Sequence, residues 1–219
     1  MKRLLLRETL GAFVACCTAR RQVGVGLVFV ALLVLPASRE WLTASMWRHM
    51  VLQFPFWMLC GALSAAGFSP AARVRISRWN AYGISGLVGV GTVLAVLMVP
   101  RVLDLALVSG PIEATKCAAL LLVGAALRLS WRAAGLVVQG FFLGNVLPMT
   151  AVVGQLYIDS PLRLCNAYLL DDQARLGQWL VATAALLAVG WLSNVAWWVV
   201  RRDALTEPRL SQSIESSRG

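Results

Sequence analysis

Residues 177–200 read GQWLVATAALLAVGWLSNVAWWVV, a long apolar run that contains no charged side chain. A helix needs about 20 such residues to cross a hydrocarbon core of about 30 Å. Lipid offers no water to backbone groups that a helix would leave unpaired, so a run of this kind in a bilayer is helical. The stretch therefore predicts a membrane-spanning α-helix near the end of the chain.

Five further apolar runs precede this one, at residues 22–36, 49–68, 82–99, 112–127 and 133–156. Of the 219 residues, 59% are hydrophobic and 14% are charged, whereas soluble domains average about 45–50% apolar residues. The runs lack the alternation of polar and apolar residues that is typical of membrane β-barrels. We therefore predict an all-α integral membrane protein, a bundle of about six transmembrane helices.

The predicted organisation has three parts: a basic N-terminal segment (1–21), a transmembrane domain (22–200) and a polar tail (201–219). Within the first part, Leu4 to Cys17 is interpreted as an amphipathic helix on the cytoplasmic membrane surface. The Met-Lys-Arg start also permits a signal peptide cleaved near Ala37. The charged segment before the first apolar run, however, is longer than a usual signal-peptide n-region.

The formal charge of +10 comes from basic residues in short clusters between the apolar runs, a pattern that indicates topology rather than nucleic-acid binding. Of the 20 basic residues, 14 fall on one predicted side and five on the other. The positive-inside rule makes the richer side cytoplasmic. We predict a multi-pass protein of the plasma (inner) membrane with both termini cytoplasmic and membrane lipid as a partner. The cytoplasmic set is Lys2, Arg3, Arg7, Arg20, Arg21, Arg73, Arg75, Arg78, Arg128, Arg132, Arg201, Arg202, Arg209 and Arg218.

The only histidine, His49, opens the second run and is predicted at the outer interface of the membrane. Met46 and Met50 are its neighbours, and imidazole with thioether ligands suits copper. His49 and Gln53 are four residues apart and share one side of a helix. Two interpretations stay open: a copper site, or a histidine that forms a hydrogen bond at the level of the lipid headgroups.

A second polar cluster, Asp171, Asp172 and Gln173, precedes the last run on the same predicted side. Asp171 would serve as the N-cap of the last helix, where acidic groups complement the helix dipole. The alternative is a cation-binding or docking surface that meets the outer end of the second span. In that case His49 lies near Asp172 and Gln173, and Asp172 completes the metal site.

Three short motifs in this order resemble the CtaG-like membrane proteins associated with cytochrome c oxidase assembly. They are His49-Met50-Val51-Leu52-Gln53, Pro100-Arg101-Val102-Leu103-Asp104, and Asp172-Gln173 followed by Gly177. The resemblance implies an assembly or accessory factor for a respiratory haem-copper oxidase, with an oxidase subunit as partner and copper handled at the outer face. It also marks Asp104, Asp171 and Gln173 as residues of a functional outer loop. Gln53 stands where the family has a second histidine.

Other function classes find less support in the sequence. One histidine cannot supply a bis-histidine haem site, no phosphate-binding Gly-Lys loop is present, and no large soluble region suggests an enzyme. The alternatives are a small transporter and a metal-free accessory subunit of a membrane complex. For the transporter, Gln139, Asn145, Pro148 and Gln155 would line a polar path, although hydrogen bonds between helices explain such residues equally well. Close helix packing, rather than a pore, is indicated by the glycines Gly83, Gly86, Gly89, Gly140 and Gly144.

Overall fold

The computed structural model describes residues 2–165 and 167–216; for residues 2–17 and 203–216 it describes the backbone alone. Every regular element in this part of the chain is a helix, so the predicted all-α class is confirmed there. The surface placement of Leu4 to Cys17 and the character of the polar tail concern side chains outside the described residues. The main helices are α1 (Lys2–Val34), α2 (Pro36–Thr43), α3 (Phe54–Ser64), α4 (Pro70–Trp79), α5 (Ile84–Leu97), α6 (Pro100–Val108), α7 (Gly110–Trp131), α8 (Leu136–Asp159) and α9 (Leu170–Ser216).

Short helical turns extend two of these helices. A π-helical turn (Arg48–Gln53) leads directly into α3, and a 3-10 turn (Ala65–Gly67) follows it. A second 3-10 turn (Ala81–Gly83) leads into α5. Proline occupies the first turn of α2, α4, α6 and α7. Backbone N–H groups there have no partner within the helix, so the lack of an N–H in proline costs no hydrogen bond.

Three helices are long and apolar enough to cross a membrane by length and composition: Arg48–Gly67, Leu136–Asp159 and Leu170–Arg202. Two bent pairs would raise the number to five if each pair is one span. These are Thr18–Val34 with Pro36–Thr43, bent by 72°, and Pro70–Trp79 with Ala81–Leu97, bent by 66°. The remaining predicted span corresponds to α7, which has 22 residues but carries Glu113, Lys116 and Arg128. Six spans therefore stay a prediction.

The centre of the fold is the pair α3 and α7, which run antiparallel. At one end the Lys116 amine bonds Gln53, and at the other the Arg128 guanidinium donates to the Ala62 carbonyl at 2.8 Å. We call these two ends of the molecule the His49 end and the Arg128 end. Helix α1 packs against α3, and α5 packs against α7.

Two glycines set the spacing of the α3–α7 pair. A Cβ atom on Gly61 would overlap the carbonyl group of Leu121, and one on Gly124 would overlap the carbonyl group of Met58. The backbones of the two helices are thus in direct contact. Only glycine fits at these crossing points, because any side chain would have to push a backbone carbonyl away.

Helices α8 and α9 form a hairpin that packs mainly on itself. Its closest contact is at Gly154 and Gly177, each of which faces the other's carbonyl oxygen. The close packing predicted from the sequence is confirmed at three glycines: Gly83 and Gly86 face Ser130, and Gly140 faces the ring of Trp191. It was wrong at Gly89 and Gly144, where no atom of a neighbouring element lies within 4 Å of a Cβ built on the glycine.

Candidate binding site at the His49 end

The side chain of His49 is completely buried, with 0% of its surface exposed. The level of His49 relative to the lipid headgroups stays a prediction from the sequence. The π-helical turn directs its ring into the protein, where Tyr168, from the loop between α8 and α9, lies against it. Tyr168 also donates to the carbonyl of Thr43, the last residue of α2. The loop and α2 thus separate the imidazole from solvent.

The hydrogen bonds around His49 fix its tautomer. The Tyr168 hydroxyl donates to the Thr43 carbonyl at 2.8 Å, since a carbonyl can only accept. The same hydroxyl lies 3.0 Å from His49 Nδ1 and must accept there, so Nδ1 carries the proton. Burial, with smaller contributions from Cys165, Asp172 and Asp104, raises the pKa of Tyr168 and keeps its phenol protonated. His49 Nε2 is therefore left as a free acceptor.

The donor at that acceptor is Lys116, whose amine lies 2.6 Å from His49 Nε2 and 3.0 Å from Gln53 Oε1. Lys116 is 2% exposed. Glu113, one turn earlier on α7, is ion-paired with Arg39 of α2. Across the part of the chain that the structure describes, no carboxylate lies within ion-pair distance of the Lys116 amine. The hydrogen-bond partners of the Lys116 amine are thus two neutral side chains.

Asp172 ties the start of α9 to the segment before His49. One carboxylate oxygen accepts from the Ser45 hydroxyl at 2.9 Å and the other from the Met46 backbone N–H at 3.1 Å. The prediction that these two helix ends are neighbours is confirmed. The capping role predicted for Asp171 was wrong, because α9 begins at Leu170 and Asp171 lies exposed in its first turn.

Gln173 and the segment at Pro100 complete this end of the molecule. The buried Gln173 amide accepts from Leu164 N–H at 2.9 Å and donates to the Leu162 and Tyr157 carbonyls. The Cys165 thiol bonds the Pro100 carbonyl at 3.7 Å, and burial together with the charge of Asp104 raises its pKa to about 12. The loop between α8 and α9 is therefore fixed to both α6 and α9.

The residues predicted to hold copper do not suit that ion in this arrangement. Both ring nitrogens of His49 and both carboxylate oxygens of Asp172 already have hydrogen-bond partners, and Met46 and Met50 belong to the buried apolar core. A metal at Nε2 would have to displace a lysine amine. Among the described residues, no three His, Cys, Asp or Glu side chains lie together as in a metal site. Copper at His49 stays a prediction from the sequence.

The polar residues assigned to a transport path form local hydrogen bonds. Gln139 donates to the Trp131 and Ala134 carbonyls just before α8, and Asn145 donates to the Phe141 carbonyl one turn earlier. Gln155 bonds Asp159 on its own helix. The alternative of hydrogen bonds between helices is confirmed for Gln139, because Trp131 is the last residue of α7, and was wrong for Asn145 and Gln155.

Sequence reasoning missed two residues that bond His49, namely Lys116 and Tyr168, and also Ser45, which bonds Asp172. Lys116 offered a signal, because a charged residue inside an apolar helix is costly and usually functional. We call the set His49, Gln53, Lys116 and Tyr168 the buried polar cluster. Comparison with known protein families, with curated proteins and with solved structures finds no match to this chain.

Proposed function

We propose that the chain is a six-span protein of the plasma membrane with both termini cytoplasmic. In this proposal it acts as an assembly or accessory factor for a respiratory haem-copper oxidase. The observation that carries the proposal is the meeting of the three motif segments at one end of the molecule. Asp172 bonds Met46 beside His49, and Cys165 bonds Pro100. These contacts between motifs far apart in sequence support a single shared site.

The proposed role of this end is docking. The buried polar cluster ties the loop between α8 and α9 to α2, which gives the surface above it a fixed shape. That surface presents apolar side chains: Trp41 is 55% exposed, Leu162 72% and Leu169 64%. Rigid, exposed apolar anchors of this kind are the residues that dominate protein interfaces. The partner we propose is a subunit of the oxidase.

A metal-free accessory subunit is the second candidate, and the position of Lys116 favours it. An amine 2.6 Å from His49 Nε2 fills the place that a metal ligated by that nitrogen would need. Under this alternative the protein docks on the complex but carries no copper. Copper measured by elemental analysis of the detergent-purified protein separates the two candidates, because one ion per chain would favour copper handling.

We expect deletion of the gene to lower both the amount of assembled oxidase and its copper content. Complementation with a Leu162→Asp, Leu169→Asp double variant should restore little oxidase, since loss of two apolar anchors weakens docking by about tenfold or more. The matched control is Val137→Asp, a change at a side chain that is 86% exposed at the Arg128 end. It should complement fully.

Two outcomes would contradict this function. If the deletion strain keeps normal oxidase activity and copper content, the protein has no role in assembly of the oxidase. Equal complementation by the double variant and the Val137→Asp control removes the docking surface.

The proposed topology has its own test. Reporter fusions after Ser77 and Gly219 should be cytoplasmic, and a fusion after Asp159 should be external, because basic residues are concentrated on one side of the apolar runs. Alkaline phosphatase and green fluorescent protein fusions measure the two locations independently. An external C-terminus would mean an odd number of spans and would disprove the six-span arrangement.

A further inference from the structure

A pocket of about 530 Å³ lies at the Arg128 end, between α4, α5 and α7. It is separate from the buried polar cluster, which lies at the other end of α7. Its lining combines a basic side chain, small polar groups and an apolar wall. The lining residues are Arg75, Ile76, Trp79, Asn80, Ser85, Gly86, Ala126, Leu129 and Ser130.

The turn between α4 and α5, at residues 80–83, shapes this pocket and is held by hydrogen bonds. The Asn80 amide accepts from Gly86 N–H at 2.9 Å and donates to the Ser130 hydroxyl at 2.8 Å. Tyr82 and Gly83 turn the chain with φ values of 54° and 70°. A Cβ on Gly83 would overlap the Ser130 carbonyl, so only glycine fits there. Helix α4 is thereby held at 66° to the helix that follows it.

The charge of the pocket comes from Arg75. Its side chain is exposed, and within the described ranges it has no ion-pair partner. The sequence contains no acidic residue between Glu40 and Asp104, so α4 and α5 supply no carboxylate. The neighbouring Arg73 and Arg128 guanidinium groups bond backbone carbonyls instead. Arg75 is thus available to an external anion.

The remaining wall suits a hydrocarbon chain. Ile76, Ala126 and Leu129 are apolar, and Leu122, one turn before Ala126 on α7, is 70% exposed. Trp79, which is 85% exposed, flanks the pocket beside Arg75. Tryptophan and arginine together are typical of the headgroup level of a membrane, with acyl chains just below.

We propose that this pocket binds an anionic phospholipid. The lipid phosphate accepts hydrogen bonds from the Arg75 guanidinium, and an acyl chain lies along Ala126 and Leu129. A free phosphate would satisfy the charge but leave the apolar wall exposed. The proposal depends on membrane placement of α5 and α7 and not on any role in oxidase assembly.

The test uses the full chain in neutral detergent with phosphatidylglycerol or phosphatidylcholine added. Native mass spectrometry should show tighter binding of phosphatidylglycerol to the wild type. Arg75→Gln should weaken that binding about fivefold, the effect of about 1 kcal/mol for one basic group near an anionic surface. Ala126→Phe, which fills the apolar wall and leaves the charge in place, should weaken it as well. The matched control, Arg101→Gln on the exposed surface of α6, should leave it unchanged.

Several results would overturn the proposal. Equal binding of the two lipids by the wild type removes the preference for an anionic headgroup. If Arg75→Gln and Arg101→Gln weaken phosphatidylglycerol binding equally, the binding depends on the net charge of the protein and not on this pocket. Inorganic phosphate that displaces phosphatidylglycerol at equal concentration makes the ligand a free anion. Thermal unfolding without lipid must give the same midpoint for each variant as for the wild type, which excludes misfolding as the cause.

Discussion

Replacing His49 by leucine should lower the free energy of unfolding by about 3 kcal/mol, because the change leaves a buried ammonium group without its main acceptor. The Lys116 amine is 2.6 Å from His49 Nε2 and is 2% exposed, so no water replaces the lost bond. Tyr168 loses its Nδ1 partner in the same change. Reversible unfolding in detergent, followed by far-UV circular dichroism, measures the difference.

A second substitution separates this charge effect from simple loss of packing. Adding Lys116→Met removes the unpaired ammonium, and the double variant should regain most of the lost stability, since an apolar pair of similar volume replaces the buried charge. The two sites are in direct contact, so their effects should be non-additive by about 2 kcal/mol.

The control is Gln155→Leu, which removes a polar side chain that bonds only Asp159 on its own exposed helix face. Its effect should stay within about 0.5 kcal/mol. Additive effects of the two cluster substitutions would show that Lys116 and His49 do not interact and would contradict the geometry of the site. A loss of only about 1 kcal/mol for His49→Leu would fit a single hydrogen bond at the level of the lipid headgroups, as the sequence alone suggested.

The apolar runs predicted where helices form better than how they bend. The run at 49–68 corresponds to Arg48–Gly67, and 177–200 lies within α9. The run at 82–99 became α5, which has only 14 residues and needs the bent partner α4 to reach the length of a span. The length of an apolar run can be counted in the sequence. The bend between α4 and α5 depends on hydrogen bonds such as those of Asn80 to Gly86 and Ser130, which the sequence does not reveal.

Of the candidate binding site, the sequence predicted only the contact between the start of α9 and the segment before His49. Motif order and a shared predicted side brought Asp172 to the segment before His49, as observed. Lys116 and Tyr168 are 67 and 119 residues from His49 in sequence, and their contacts arise from tertiary packing of α3, α7 and the loop before α9. The burial of His49 inside the protein was missed for the same reason. An apolar run does not show which other elements cover the residue at its end.

Replacing Gly124 by alanine should be one of the most damaging single changes in the chain, although it adds only a methyl group. Alanine favours helices over glycine by about 0.8–1 kcal/mol, so local propensity predicts a gain in stability. The new Cβ, however, would overlap the Met58 carbonyl at the crossing of α3 and α7. Backbone cannot rotate away as a side chain can, and overpacking of this kind costs about 3 kcal/mol. The expected result is therefore a net loss of at least about 2 kcal/mol.

Gly144→Ala is the matched control, because Gly144 also lies inside a helix but a Cβ at that position would have no atom of a neighbouring element within 4 Å. There the helix preference acts alone, and stability should be unchanged or higher by up to about 1 kcal/mol. Gly61→Ala, on the opposite side of the same crossing, should behave like Gly124→Ala, since its Cβ would overlap Leu121. The same detergent unfolding measurement compares all three variants. If Gly124→Ala and Gly144→Ala give equal stabilities, α3 and α7 do not touch through their backbones. The Lys116–His49 contact, which depends on that close approach, would then be in doubt as well.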